Sequence, residues 1–153
     1  MIPSMTTDTL AKCVVDEARR WIGTPYLHQA SLCGVGCDCL GLVRGIWRTL
    51  YGEEPEPLPH YSADWAEASG SEQLLRAGHR HFIPVAMADM AAGDVVLFRW
   101  RAGCPAKHMG VFSGDGTMIH AHAGASVAEV HFGIWARRIA QVFRFPTPDQ
   151  RGE

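Results

Sequence analysis

Long apolar segments are absent from the sequence, which excludes a membrane-spanning helix. No hydrophobic run approaches the roughly 20 residues that are needed to cross a bilayer. The first ten residues, MIPSMTTDTL, also lack the charged start and the apolar stretch of a secretory signal. We therefore expect no export by the general secretory route.

The sequence also lacks an excess of positive charge. Its 14 basic and 16 acidic residues give a formal net charge of −2 at pH 7. Proteins that neutralise the phosphates of nucleic acids normally have the opposite balance. The composition therefore predicts no nucleic-acid partner.

The five cysteines do not form the pattern of a disulfide framework or a zinc site. Cys33, Cys37 and Cys39 lie near His28, but their spacing differs from that of the cysteine pairs in structural zinc sites, and no second pair follows. A Cys33–Cys37 disulfide has no supporting context, since the total is odd and no secretory signal is visible. We expect reduced thiols, no metal and no cofactor.

What is present fits one globular domain over residues 1–153, with a core from 8 to 146. The chain is 47% hydrophobic and 20% charged, and a chain of this length buries about two-thirds of its surface on folding.

The N-terminal half has helical patterns. Apolar residues at helical spacing predict a helix from about Asp8 to Trp21, for which Thr7, Asp8 or Thr9 is a candidate N-cap. A second helix opens near Cys39 and ends at Gly52, and residues 62–78 look helical in two pieces broken at Gly70.

The C-terminal half has the pattern of short strands separated by turns. Five strands are predicted, at 94–100, 107–113, 117–122, 126–131 and 138–145. Helices followed by a run of antiparallel strands predict an α+β fold, with the N-terminal helices packed on a sheet of about five to six strands.

Cys39 is the candidate nucleophile, because it stands where a loop becomes a helix. Unpaired N–H groups and the positive end of the helix dipole favour a thiolate there, and a thiolate is the nucleophilic form of cysteine. The same N–H groups are suited to stabilise an oxyanion.

A cysteine nucleophile needs a base and a residue that orients the base, and the candidates are histidines of one predicted hairpin. A two-residue loop at Asp115-Gly116 would put His108 and His120 on opposite faces of the hairpin. A three-residue loop from Gly114 to Gly116 puts His108 opposite His122 and diagonal to His120, with all three on one face. We predict the second register, in which both His120 and His122 remain candidates for the orienting residue.

Five short motifs together resemble the NlpC-type cell-wall peptidases, which are small papain-like cysteine peptidases. The motifs are GTPY at 23–26, DCLGL at 38–42, GDVVLF at 93–98, HMGVF at 108–112 and IHA at 119–121. The form GCDCLGLV at 36–43 looks most like the branch of this family found in phages and gene-transfer agents.

The resemblance implies roles for residues at matching positions. It makes Cys39 the nucleophile, His108 the general base and His120, rather than His122, the residue that orients the base. Tyr26 matches a family tyrosine beside the nucleophile.

Asp38 matches an acidic residue that helps to hold a free amine of the substrate in some members. Two positions depart from the family pattern. Leu40 replaces the usual serine, which puts any substrate contact of that serine in doubt, and Ala92 replaces a proline in a turn.

The implied substrate is the peptide stem of peptidoglycan, cut between D-γ-glutamate and a diamino acid, with no metal required. The resemblance further implies tail proteins of a phage or gene-transfer agent as partners. The protein would then stay in the cytoplasm until packaged and would act in the periplasm.

Two alternatives stay open, a non-catalytic peptidoglycan-binding component of such a tail and a Cys-His acyltransferase. Arg99, Arg101 and Lys107 form a small basic patch that either is a solvated surface or contacts stem carboxylates.

Overall fold

The first two helices pack closely against each other. In the computed structural model, which describes residues 5–56 and 72–152, helix α1 spans Thr7–Arg20 and helix α2 spans Cys39–Tyr51. A Cβ atom at Gly45 in α2 would lie 2.0 Å from the Trp21 ring, so only glycine permits this approach. Helix α3 spans Gln73–His81. The rest of the predicted helical stretch, up to residue 71, lies outside the described residues.

Helix α1 begins one residue earlier than predicted. The N-cap is Thr6, whose hydroxyl accepts a hydrogen bond from the Thr9 N–H at 3.1 Å. The predicted caps Thr7, Asp8 and Thr9 are therefore wrong, because all three residues already have helical backbone.

The sheet has six antiparallel strands, which confirms the prediction of about five to six. The strands are β3 Ile83–Val85, β4 Val95–Phe98, β5 His108–Gly114, β6 Thr117–His120, β7 Ala128–His131 and β8 Ile139–Arg144. Their order across the sheet is β3-β8-β4-β5-β6-β7. Strand β3 was not predicted. A separate two-stranded hairpin, β1 Ser31–Leu32 with β2 Gly36–Cys37, precedes α2.

The helices cover one face of the sheet. Side chains of α1 and α2 join inward side chains of β4, β5 and β8 in the larger hydrophobic cluster. A smaller cluster, which includes Val96, Phe98 and Met118, forms on the other face. Among the described residues, no helix has the length and apolarity that crossing a bilayer requires.

The β5–β6 hairpin has the predicted register but not the predicted loop. Val111 pairs with Ile119, and this pairing extends to place the histidines on one face. The turn has only two residues, Asp115 and Gly116, with φ of 53° and 72°, which is typical of a type I′ turn. The extra residue that sets the register is Ser113, which forms a bulge in β5.

Candidate active site

Cys39 is the first residue of α2, and its sulfur lies between that helix and the start of β5. The thiol donates a hydrogen bond to the Lys107 carbonyl oxygen at 3.8 Å. The sulfur accepts from the backbone N–H groups of Met109, Leu40 and Cys39 itself. Two of these contacts come from the backbone on either side of His108, so the predicted nucleophile packs against the strand that carries the predicted base.

His108 and His120 form a buried hydrogen-bonded pair. Nε2 of His108 lies 2.9 Å from Nδ1 of His120, and the two residues are 4% and 6% exposed. Gly110 makes room for this pair, because a Cβ atom there would lie 3.2 Å from that of His120.

His122 stands beside the pair without a hydrogen bond to it. Its ring centroid is 5.6 Å from that of His108, and the two rings are nearly perpendicular. Of the two residues that the hairpin register left open, His120 is the one hydrogen-bonded to His108.

The environment keeps the thiol and the two imidazoles neutral. Burial, followed by the charge of Asp38, raises the pKa of Cys39 to about 12, and the backbone N–H groups only partly oppose this. Burial and repulsion from His120 and His122 lower the pKa of His108 well below 6.5. Burial and repulsion from His122 lower the pKa of His120 to about 4.

Burial and the Asp38 carboxylate thus oppose the thiolate that the helix start favours, and the thiolate stays a prediction. The sequence showed the helix terminus but not the burial of the sulfur, and the neighbouring carboxylate adds to the effect of burial.

Asp38 ties the nucleophile loop to α2. The residue is 3% exposed, and its two carboxylate oxygens accept from the N–H of Gly41 at 2.7 Å and from the N–H of Gln29 at 2.8 Å. Asp38 is thus the N-cap of the helix that begins with Cys39. Its predicted contact with a substrate amine stays a prediction.

Tyr26 is half-buried next to the nucleophile. It forms an isolated bridge with Cys37 and packs with Cys39 against the core. Burial first, and then the nearby Cys39 and Asp38, raise the pKa of its hydroxyl to about 12, and the phenol is a hydrogen-bond donor at neutral pH. Its predicted role in substrate binding likewise stays a prediction.

Two tryptophans that sequence reasoning did not place form a wall around the histidines. The Trp100 ring stacks on His108 with a centroid distance of 5.5 Å and an interplanar angle of 22°. The Trp135 centroid lies 5.2 Å from that of His108 and 5.3 Å from that of His120. Trp100 follows the end of β4 and Trp135 precedes the start of β8, so both lie at the end of the sheet where β5 begins. Their positions close to strand ends were the sequence signal that could have placed them near the histidines.

All five cysteines are free, so no Cys33–Cys37 disulfide is present. Among residues 5–56 and 72–152, no group of three or more His, Cys, Asp or Glu residues is arranged to hold a metal ion.

Comparisons with known proteins agree with this architecture. A model of the NlpC/P60 family matches residues 23–144. The gamma-DL-glutamyl hydrolase of Bacillus subtilis is 28% identical over 134 residues, which cover 86% of this chain and 29% of the relative. The murein DD-endopeptidase/murein LD-carboxypeptidase MepS of Escherichia coli is 26% identical over 133 residues, which cover 86% of this chain and 61% of the relative.

A solved NlpC/P60 family protein from Bacillus cereus superposes with a TM-score of 0.64 at 22% identity, over 94% of this chain and 41% of that one. This likeness confirms the predicted papain-like α+β fold. The chain spans less than two-thirds of the length of each of these three proteins.

Proposed function

The chain belongs to the NlpC/P60 family, and we propose that it is a cysteine peptidase that hydrolyses the peptide stems of bacterial peptidoglycan. The observation that carries the proposal is the buried 2.9 Å hydrogen bond between His108 and His120, beside a cysteine at a helix start. A nucleophile, a base and a group that holds the base are the minimum for acyl transfer by a thiol.

In this proposal the reaction begins from the neutral thiol and imidazole. His108 donates its Nε2–H to Nδ1 of His120, which leaves Nδ1 of His108 to accept the proton of Cys39. The sulfur attacks the carbonyl carbon as that proton moves, and the oxygen becomes an oxyanion. Backbone N–H groups at the start of α2, which now contact the sulfur, are suited to stabilise that charge.

The second half of the cycle returns the proton. The carbon–nitrogen bond breaks, and His108 gives its proton to the leaving amine, so a thioester on Cys39 remains. Water then attacks the thioester carbonyl while His108 takes a proton from it. The thiolate leaves and recovers that proton, and the acid product is released. His120 stays neutral, because its pKa is about 4, and accepts the hydrogen bond of the charged imidazole.

We further propose that the bond cleaved joins D-γ-glutamate to a diamino acid. The resemblance of the five motifs supports this, as does the similarity to a relative named gamma-DL-glutamyl hydrolase. The similarity to a relative named murein DD-endopeptidase makes the peptide cross-link between stems the competing candidate for the cleaved bond.

The test is digestion of purified peptidoglycan, with mass spectrometry of the products. The wild type is expected to free the amine of the diamino acid, and Cys39→Ala is expected to lose about 10³-fold or more of the activity. Cys33→Ala is the matched control, since that half-buried thiol donates a hydrogen bond to the Arg20 carbonyl at 3.4 Å and has no predicted role in the chemistry. Equal product release by the wild type and Cys39→Ala would refute the assignment.

One feature favours acyl transfer as a second candidate function. A largely apolar pocket of about 80 Å³ has Leu40 and Met109 in its wall, the residues that follow Cys39 and His108. The test measures hydrolysis of p-nitrophenyl esters with increasing acyl length. A Cys39-dependent rate that rises with chain length supports this candidate, and a rate that falls with chain length rejects it.

The branch resemblance also leads us to propose delivery by a phage-like tail. The expected result is that the protein co-purifies with tail particles of the producing cell. Particles that lack it would contradict the proposal.

A further inference from the structure

Most arginines of the described residues are engaged by carboxylates. The ion-paired arginines and their partners are Arg19 with Glu129, Arg20 with Glu17, Arg44 and Arg48 with Glu54, Arg80 with Glu56, Arg99 with Glu72, and Arg144 with Asp94. The positive charge of the predicted basic patch, formed by Arg99, Arg101 and Lys107, is thereby reduced, because Arg99 is paired with Glu72.

Arg138 has a different environment. Its guanidinium carbon lies 5.8 Å from the centroid of Trp100 and 5.9 Å from that of Trp135. Within residues 5–56 and 72–152 its side chain has these ring contacts but no carboxylate partner. A guanidinium over aromatic faces is held in place by cation–π attraction, and its N–H groups remain able to donate to a planar acceptor.

Arg138 is therefore separated from the proposed catalytic histidines by a single layer of side chains. The two tryptophans beneath it are the same ones that wall His108, at 5.5 and 5.2 Å. The backbone also fixes its position, because the Arg99 N–H donates to the Arg138 carbonyl at 2.8 Å and joins the end of β4 to the start of β8.

The two segments that carry Arg138 and Trp100 are basic in sequence. The loop at 99–107 and the segment at 132–138 contain no acidic residue. Arg101 and Arg137, in the same two segments, are exposed. Among the described residues Glu72 pairs with Arg99 of this loop, and Arg138 has no carboxylate partner, in a chain whose net charge is −2.

We propose that Arg138 binds a carboxylate of the peptide substrate next to the scissile bond. The inference rests on the proposed function. A γ-glutamyl linkage leaves the α-carboxylate of the glutamate free, a few bonds from the carbonyl that Cys39 would attack. This group is planar and anionic, and it suits a bidentate contact with a guanidinium. Arg138 then selects the free acid over the amidated form of the same residue.

The experiment compares two peptides, L-Ala-γ-D-Glu-diaminopimelate and the same peptide with the glutamate α-carboxylate converted to carboxamide. The wild type is expected to prefer the acid by about 10- to 100-fold in kcat/KM, mainly through KM. Arg138→Gln should cut the acid as poorly as the amide, with its rate on the amide unchanged. Arg138→Lys should recover part of the preference, because it keeps the charge but loses the fork of donors.

Arg137→Gln is the matched control, since it removes an exposed charge next to Arg138 that makes no ring contact. It should keep the preference for the acid. Equal cleavage of both peptides by the wild type, or a preference that survives Arg138→Gln or disappears in Arg137→Gln, would overturn the assignment and leave the proposed peptidase intact. A wild type that cuts neither peptide, nor peptidoglycan, would overturn both.

Discussion

Replacing His120 by alanine tests the assignment of the orienting residue. The change removes the 2.9 Å hydrogen bond to Nε2 of His108, which lies in a buried site. In the transition state His108 is charged, and hydrogen bonds to charged groups contribute about 1.5–3 kcal/mol. One factor of ten in rate corresponds to about 1.36 kcal/mol, so kcat/KM should fall about 10- to 150-fold.

The measurement is the initial rate of cleavage of L-Ala-γ-D-Glu-diaminopimelate, with thermal unfolding of each variant as a check on folding. His122→Ala is the matched control, because its ring centroid lies 5.6 Å from that of His108, against 5.1 Å for His120, but makes no hydrogen bond to His108. We expect that control to change kcat/KM by less than about threefold. His120→Gln should recover part of the loss, since its amide oxygen is also an acceptor. A larger loss for His122→Ala than for His120→Ala would refute the reasoning.

Three further predictions concern protonation and stability. The kcat/KM should be constant through the neutral pH range and fall only below pH 6.5, because the base must be neutral and the pKa of His108 is depressed. A decrease in kcat/KM that begins above pH 6.5 would contradict this. Iodoacetamide should alkylate Cys39 of the free protein more slowly than a free thiol at neutral pH, because its pKa is raised to about 12, and a faster reaction would show a thiolate at rest. Asp94→Asn should lower the free energy of unfolding by about 1.5–3 kcal/mol in urea titrations, since Asp94 is 1% exposed and accepts charge-assisted hydrogen bonds from Arg144 at 2.7 and 2.8 Å. A loss below about 0.5 kcal/mol would contradict that account.

Features set by neighbours along the chain were predictable from the sequence. Asp38 and Cys39 stand directly before a strong helical stripe, so the helix start and the position of the nucleophile follow from local signals. The faces of the β5–β6 hairpin were predicted correctly but for a different reason, since the prediction assumed a three-residue loop and the observed register comes from a two-residue turn with a bulge.

Features that depend on distant segments were not predictable. The wall formed by Trp100 and Trp135 requires the end of β4 to lie beside the start of β8, and no local sequence pattern predicts that contact. The raised pKa of Cys39 follows from desolvation of its sulfur, which depends on segments distant along the chain. Strand β3 is short and contains Pro84, which weakens the pattern of a strand although an edge position tolerates it.

The Ser113 bulge has a consequence for any redesign of this scaffold. Because alternate residues of a strand face opposite ways, pairing the hairpin without the bulge, with Ser113 opposite Met118, would turn Ile119 or Ala121 toward His108 and turn His120 away. A grafted hairpin that keeps every residue but pairs without the bulge would therefore exchange the histidine for an aliphatic side chain without altering a single residue near the sulfur. Removing Ser113 altogether would keep Val111 opposite Ile119 and leave His120 in place, so loops from related proteins are interchangeable only when they preserve this pairing.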